Sequence, residues 1–311
     1  MVEGNYASPI QFKQEANVDR STAQRAEDLH EEARQMEDDD AALALYHQAL
    51  QLDPDRASTL YNIGLIHKYR GEWEQSRDFN RRAVELQPDD EASNWNLAIA
   101  ATALHDWACA RATWKRLGMP IEEGDTPIET DFGLTPVRLN PDDSGEVVWG
   151  QRVDPVRVRI DNVPYPASGF RCGDVVLHDG APVGSRMSRG REYHVFNVLA
   201  LFQPSRLATF EAEVVVSNAA DLQMLSDALQ QAEVMHEDWT SNVRTLCKQC
   251  SEGSPHEHHD EDLAHAADGR HLIGIAAEDG EVALSVLNQW RLAPGRELVR
   301  FACMLAAPDR H

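Results

Sequence analysis

The sequence predicts a multidomain chain: an all-α superhelix of three helix hairpins, followed by an α+β domain with mostly antiparallel strands. Three observations predict it. Residue types recur at a 34-residue step through the first 120 or so positions; the hydrophobic period then changes from helical to alternating; and a proline-rich acidic stretch separates the two regimes. The division that follows is a flexible N-terminal segment at 1–22, helical repeats at 23–122, a linker at 123–135 and the α+β domain at 136–311.

The repeat is fixed by Pro54 and Pro88, which lie 34 residues apart. In that register Leu29, Ile63 and Leu97 correspond, as do His30, Gly64 and Ala98. Ala42, Ser76 and Ala110 keep the same step, and so do Tyr46, Asn80 and Trp114, and Ala49, Ala83 and Leu117. The copies run at about 23–56, 57–90 and 91–122. Two helices that cross closely need a small residue at the crossing, supplied by Gly64 and Ala98 on the first helix and by Ala42, Ser76 and Ala110 on the second. A large residue then fills the gap beside the next hairpin, the role of Tyr46 and Trp114. Proline ends the second helix because its ring cannot continue the hydrogen-bond ladder.

This spacing resembles the tetratricopeptide repeat family over roughly 100 of the 311 residues. It departs from the pattern at His30, where a small residue is usual, at Asn80, where an aromatic is usual, and at Glu122, where proline is missing. The resemblance implies a superhelix whose concave face, lined by the first helix of each unit, holds a protein or peptide partner. The groove positions it implies are Glu27, Glu31 and Arg34, then Tyr61, Asn62, Leu65, Lys68 and Tyr69, then Trp95, Asn96 and Ile99. Asn62 and Asn96 are equivalent, and an amide that both donates and accepts suits a ligand's backbone. Family members that act as chaperone adaptors grip a C-terminal carboxylate with lysine and asparagine in the first unit. Glu27 and Glu31 stand there in this chain and would repel it.

From Met119 to Pro127 the chain is proline-rich and acidic and reads as linker. Segments 146–152, 156–160, 174–178, 193–201 and 209–216, rich in Val, Ile, Tyr and Phe, read as antiparallel strands. Asp179-Gly180 is the hairpin signal among them. Residues 218–235 read as an amphipathic helix, 271–277 as a strand, 281–289 as a helix and 297–305 as a last strand.

The cluster that carries chemistry is Cys247-Lys248-Gln249-Cys250 followed by His256-Glu257-His258-His259 and His265. Zn²⁺ prefers thiolate and imidazole ligands in a tetrahedron, and a two-residue gap lets both cysteines reach one ion. Cys247, Cys250, His256 and His259 are the candidate ligands of a structural zinc. A redox-active cysteine pair, or an exposed acidic loop beside two ordinary cysteines, are the alternatives. A catalytic zinc would need an open coordination position and a base such as Glu257. Phosphate- and dinucleotide-binding motifs and the G-x-S-x-G elbow are absent, Cys172 reads as packed, and His178 and Asp179 read as turn residues.

A net charge of -23 repels nucleic acids and anionic lipid, which argues against both as partners. No apolar run reaches the ~20 residues of a membrane span. The first residues lack a secretory pattern, which with isolated Cys109, Cys172 and Cys303 points to the reducing cytoplasm. The leading expectation is a non-catalytic adaptor binding a peptide or protein. The alternatives are a hydrolase-type or zinc-dependent enzyme in the second domain, and an immunity- or inhibitor-type binder of a basic partner.

Overall fold

The computed structural model describes residues 9–143, 145–240 and 269–308. Two compact units divide the chain, Met1–Pro127 and Ile128–His311.

In the first unit α1 (Pro9–Arg34) pairs with α2 (Asp39–Leu52), α3 (Ala57–Tyr69) with α4 (Trp73–Leu86), and α5 (Glu91–Ala103) with α6 (Trp107–Arg116). The hairpins keep the 34-residue register, and α1 extends upstream of the first copy. Acidic loop residues start the helices: the Asp38, Asp90 and Asp106 side chains accept from Ala41, Ser93 and Cys109 backbone N–H groups. Each satisfies a donor that the first helical turn leaves orphaned.

Two of the three departures from the repeat pattern, Asn80 and His30, are explained by hydrogen bonds. A Cβ on Gly64 would lie 2.3 Å from Asn80 Nδ2, so α3 and α4 touch here only because residue 64 has no side chain. Asn80 fits where an aromatic is usual because its Nδ2 donates to Ser76 O at 2.8 Å, while Ser76 Oγ donates to Gly64 O at 2.8 Å. His30 replaces a small residue by pairing Nδ1 with Thr59 Oγ1 at 2.8 Å and lying 5.4 Å from the Tyr46 ring. Burial and then the charge of Arg56 lower its pKa, so the ring stays neutral in the helix interface.

The first two hairpins share an apolar cluster of Ala33, Ala42, Tyr46 and Ile63. In the third, Trp114 is fully buried and meets Trp95 edge-on, with ring centroids 4.9 Å apart. After α6 the chain is fastened back to it. Arg111 donates to the carbonyls of Glu122 (2.9 Å), Thr126 (2.7 Å) and Pro127 (2.8 Å).

The second unit joins a closed barrel to a helix-covered sheet. The barrel runs in sequence order through β1 (Leu134–Arg138), β2 (Val147–Arg152), β3 (Arg157–Ile160), β4 (Val175–Ser188) and β5 (Arg191–Gln203). Neighbours are antiparallel, and the parallel pairs Val137–Phe196 and Arg138–Asn197 close it. Val137, Leu139, Val148, Val158, Ile160, Val176 and Val198 form its core. The sheet has the order β7-β8-β6-β9. Its elements are β6 (Ala208–Val216), α7 (Ala219–Gln231), β7 (Met235–Asp238), β8 (Arg270–Ala277), α8 (Glu281–Trp290) and β9 (Arg296–Leu305). That is the split β-α-β arrangement, with Leu225, Leu229, Ala283, Leu287 and Trp290 of the helices packed on Phe210, Ala212, Val214 and Ile275. Barrel and sheet meet at Trp239, whose indole N–H donates to Val163 O at 2.9 Å.

Three local expectations are corrected. Asp179-Gly180 is not a hairpin turn but lies within a run of irregular pairing in β4. The chain reverses at Arg189-Gly190, whose φ values of 49° and 76° suit a tight turn between long strands. The helix expected to reach residue 235 stops at Gln231, because Glu233 takes φ 57° and β7 begins at Met235. And Leu134–Arg138, which straddles the expected linker boundary, is the first barrel strand.

Candidate functional site

The positions on α3 and α5 expected to line a groove separate into two sets. Lys68, Tyr69 and Asn96 come together: Lys68 Nζ donates to Asn96 Oδ1 at 3.1 Å and lies 4.3 Å from the centroid of the Tyr69 ring. Lys68 and Asn96 are buried, whereas Tyr69 is 60% exposed. Because Oδ1 faces the ammonium, Nδ2 faces away from it, and among the described residues that buried Nδ2 has no hydrogen-bond partner.

The second set is half-buried or buried. Asn62 is half-buried whereas Asn96 is buried, so the two equivalent asparagines stand in different surroundings. Trp95 is half-buried against Trp114, and Ile99 is 1% exposed, within the core of α5. Tyr61 and Leu65 are half-buried along α3. The acidic positions of the first repeat are balanced by arginines, Glu27 by Arg56 and Glu31 by Arg34 at 3.1 Å. Arg56 lies just before α3, 29 residues from Glu27, and nothing in the repeat pattern signals that pairing.

The candidate zinc ligands Cys247, Cys250, His256 and His259 lie outside the described residues. Among the described residues no group of three or more His, Cys, Asp or Glu is placed to hold a metal. Cys172 is buried; burial, then Asp161 and Asp174, push its thiol up to about 11, which disfavours the thiolate a nucleophile needs. Cys109 is half-buried, and Cys303, within the last strand, is exposed. His178, read as a turn residue, is wholly buried. No described helix is long and apolar enough to cross a membrane.

Residues 32–71 match the family model described as TPR repeat. Short stretches are similar to photosystem I assembly protein Ycf3. The Acaryochloris marina protein is 34% identical over 19% of this chain and 45% of its own length. That of Rippkaea orientalis is 39% identical over 19% and 35%, and that of Cuscuta gronovii 41% over 19% and 36%. The chain thus spans less than half the length of these curated relatives. A solved structure of a hypothetical protein from Neisseria gonorrhoeae overlaps 58% of this chain and 99% of its own, at 12% identity and a TM-score of 0.27, too slight a likeness to assign a fold.

Proposed function

With its first unit taken as a tetratricopeptide-repeat array, we propose that the protein is a non-catalytic adaptor that binds a protein or peptide partner in the groove of α3 and α5. Asn96 carries this reading. A buried amide N–H left without an acceptor costs about 1–3 kcal/mol, which a ligand carbonyl would offset. Lys68 fixes the direction of that amide by taking its oxygen, and the exposed Tyr69 ring beside it offers an apolar face with a polar tip. The relatives matched are named for assembling photosystem I; the role proposed for this chain is assembly in that general sense, with its own complex.

The test compares capture by the full chain with capture by Tyr69→Ala/Asn96→Ala. Proteins retained by the wild type should be lost or bound about tenfold more weakly, since aromatic anchors carry much of an interface's energy and the ligand carbonyl would lose its donor. Far-UV circular dichroism should be unchanged. The same retained set at the same affinity would place the binding surface elsewhere.

The second unit is proposed to carry a structural zinc on Cys247, Cys250, His256 and His259, supported by the C-x₂-C and H-x₂-H spacing. Purified protein should contain zinc, and Cys247→Ser/Cys250→Ser should lose it and destabilise the second unit while the repeats melt as before. Metal-free wild-type protein purified without chelator sinks this assignment.

A further inference from the structure

One end of the barrel holds a charge without a counter-ion. Arg152, the last residue of β2, is half-buried; its side chain makes no hydrogen bond or ion pair among the described residues, and its Nε is shielded from solvent with no partner. The nearest acid is already committed. Asp154 accepts from the Val156 and Arg157 backbone N–H groups at 2.8 and 2.6 Å, and its other oxygen takes Arg157 Nε at 2.5 Å. What Arg152 touches instead is Phe196, whose ring centroid lies 4.8 Å from the guanidinium carbon.

The same ring is shared by His178, centroid to centroid 4.9 Å. His178 is wholly buried and lies against the Asp179 carbonyl, with Nδ1 to O at 2.6 Å. A carbonyl only accepts, so Nδ1 carries the proton and Nε2 presents a bare lone pair, which has no partner. Burial first, and then the charge of Arg152, push the imidazole down to about 3, so the ring is neutral over the whole physiological range. A half-buried cation whose Nε lacks an acceptor and a buried acceptor lacking a donor therefore both lie against Phe196. Left so, each group bears a desolvation penalty that a suitable ligand would remove.

We propose that this end of the barrel binds a small oxyanion that keeps one proton, of which hydrogen phosphate is the simplest, held jointly by Arg152 and His178. The anionic oxygens accept from the guanidinium, the remaining O–H donates to His178 Nε2, and Phe196 forms an apolar wall. A fully ionised anion of the same shape satisfies only half of the site, because its lone pairs would face that of Nε2. This inference concerns the second unit and is independent of the groove reading.

The experiment uses the full chain near neutral pH, with inorganic phosphate and inorganic sulfate as probes. Sulfate is tetrahedral like phosphate but carries no proton there. Calorimetry should show phosphate binding, with sulfate at least about tenfold weaker because it leaves the buried acceptor unpaired. Phosphate should also move the His178 ring ¹⁵N resonances, which a purely packed histidine would not show. Arg152→Gln should abolish binding of both anions, and His178→Phe should erase the preference for phosphate. Unmoved ring resonances at saturating phosphate, or sulfate bound as well as phosphate, would overturn the proposal; both readouts use the wild type and do not depend on a variant folding.

Discussion

Trp114→Ala is expected to lower the stability of the repeat unit by about 3–5 kcal/mol, the range for truncating a fully buried large aromatic. Trp114 has no exposed surface, and it supports Trp95 edge-on across the last hairpin. Alanine would leave a cavity between two helices with no further repeat behind them, and Trp95 would lose its partner at once. Repeat arrays gain stability from neighbour interfaces, so loss at the last hairpin should spread to the one before it. The check is the denaturant midpoint of the far-UV circular dichroism signal. A shift worth less than about 1 kcal/mol would mean that the hairpin is not held by this ring.

Asp154→Ala should damage the second unit by a similar amount through different physics. Asp154 and Arg157 are buried together, and the carboxylate also caps two backbone N–H groups. Removing it strands a buried guanidinium, and breaking such a pair on one side costs about 3–5 kcal/mol. Arg157→Met in the same chain should restore part of the loss, because the stranded charge goes with it. If the double variant is as unstable as the sum of the single ones, the ion pair is not the reason.

The helical half was legible because its physics is local and repeated. Close crossings demand small residues at a fixed step, and Gly64, Ala98, Ser76 and Ala110 announce them. What stayed hidden there was the fate of individual polar groups. Asn62 and Asn96 look alike in sequence, yet one is half-buried and the other is buried with its oxygen taken by Lys68. The mostly antiparallel α+β character of the second half was also legible, from strand-like runs between turn residues. Barrel closure was not: it rests on two pairs 59 residues apart, Val137–Phe196 and Arg138–Asn197, in a strand interrupted by Pro136. The Asp179-Gly180 turn signal was local and was overridden, since the β4–β5 pairing continues past it through shifts in register. Arg152, His178 and Phe196 converge from three strands, and no spacing in one chain marks such a meeting.

Arg111 takes the carbonyl of Pro127, and Arg157 takes that of the very next residue, Ile128, at 2.5 Å. By composition this stretch is slack tether; by hydrogen bonding it is gripped on both sides of a single peptide link. Any extra length engineered between the units would thus have to enter at that link, since residues added a few positions earlier would pull Glu122, Thr126 or Pro127 out of the Arg111 clasp.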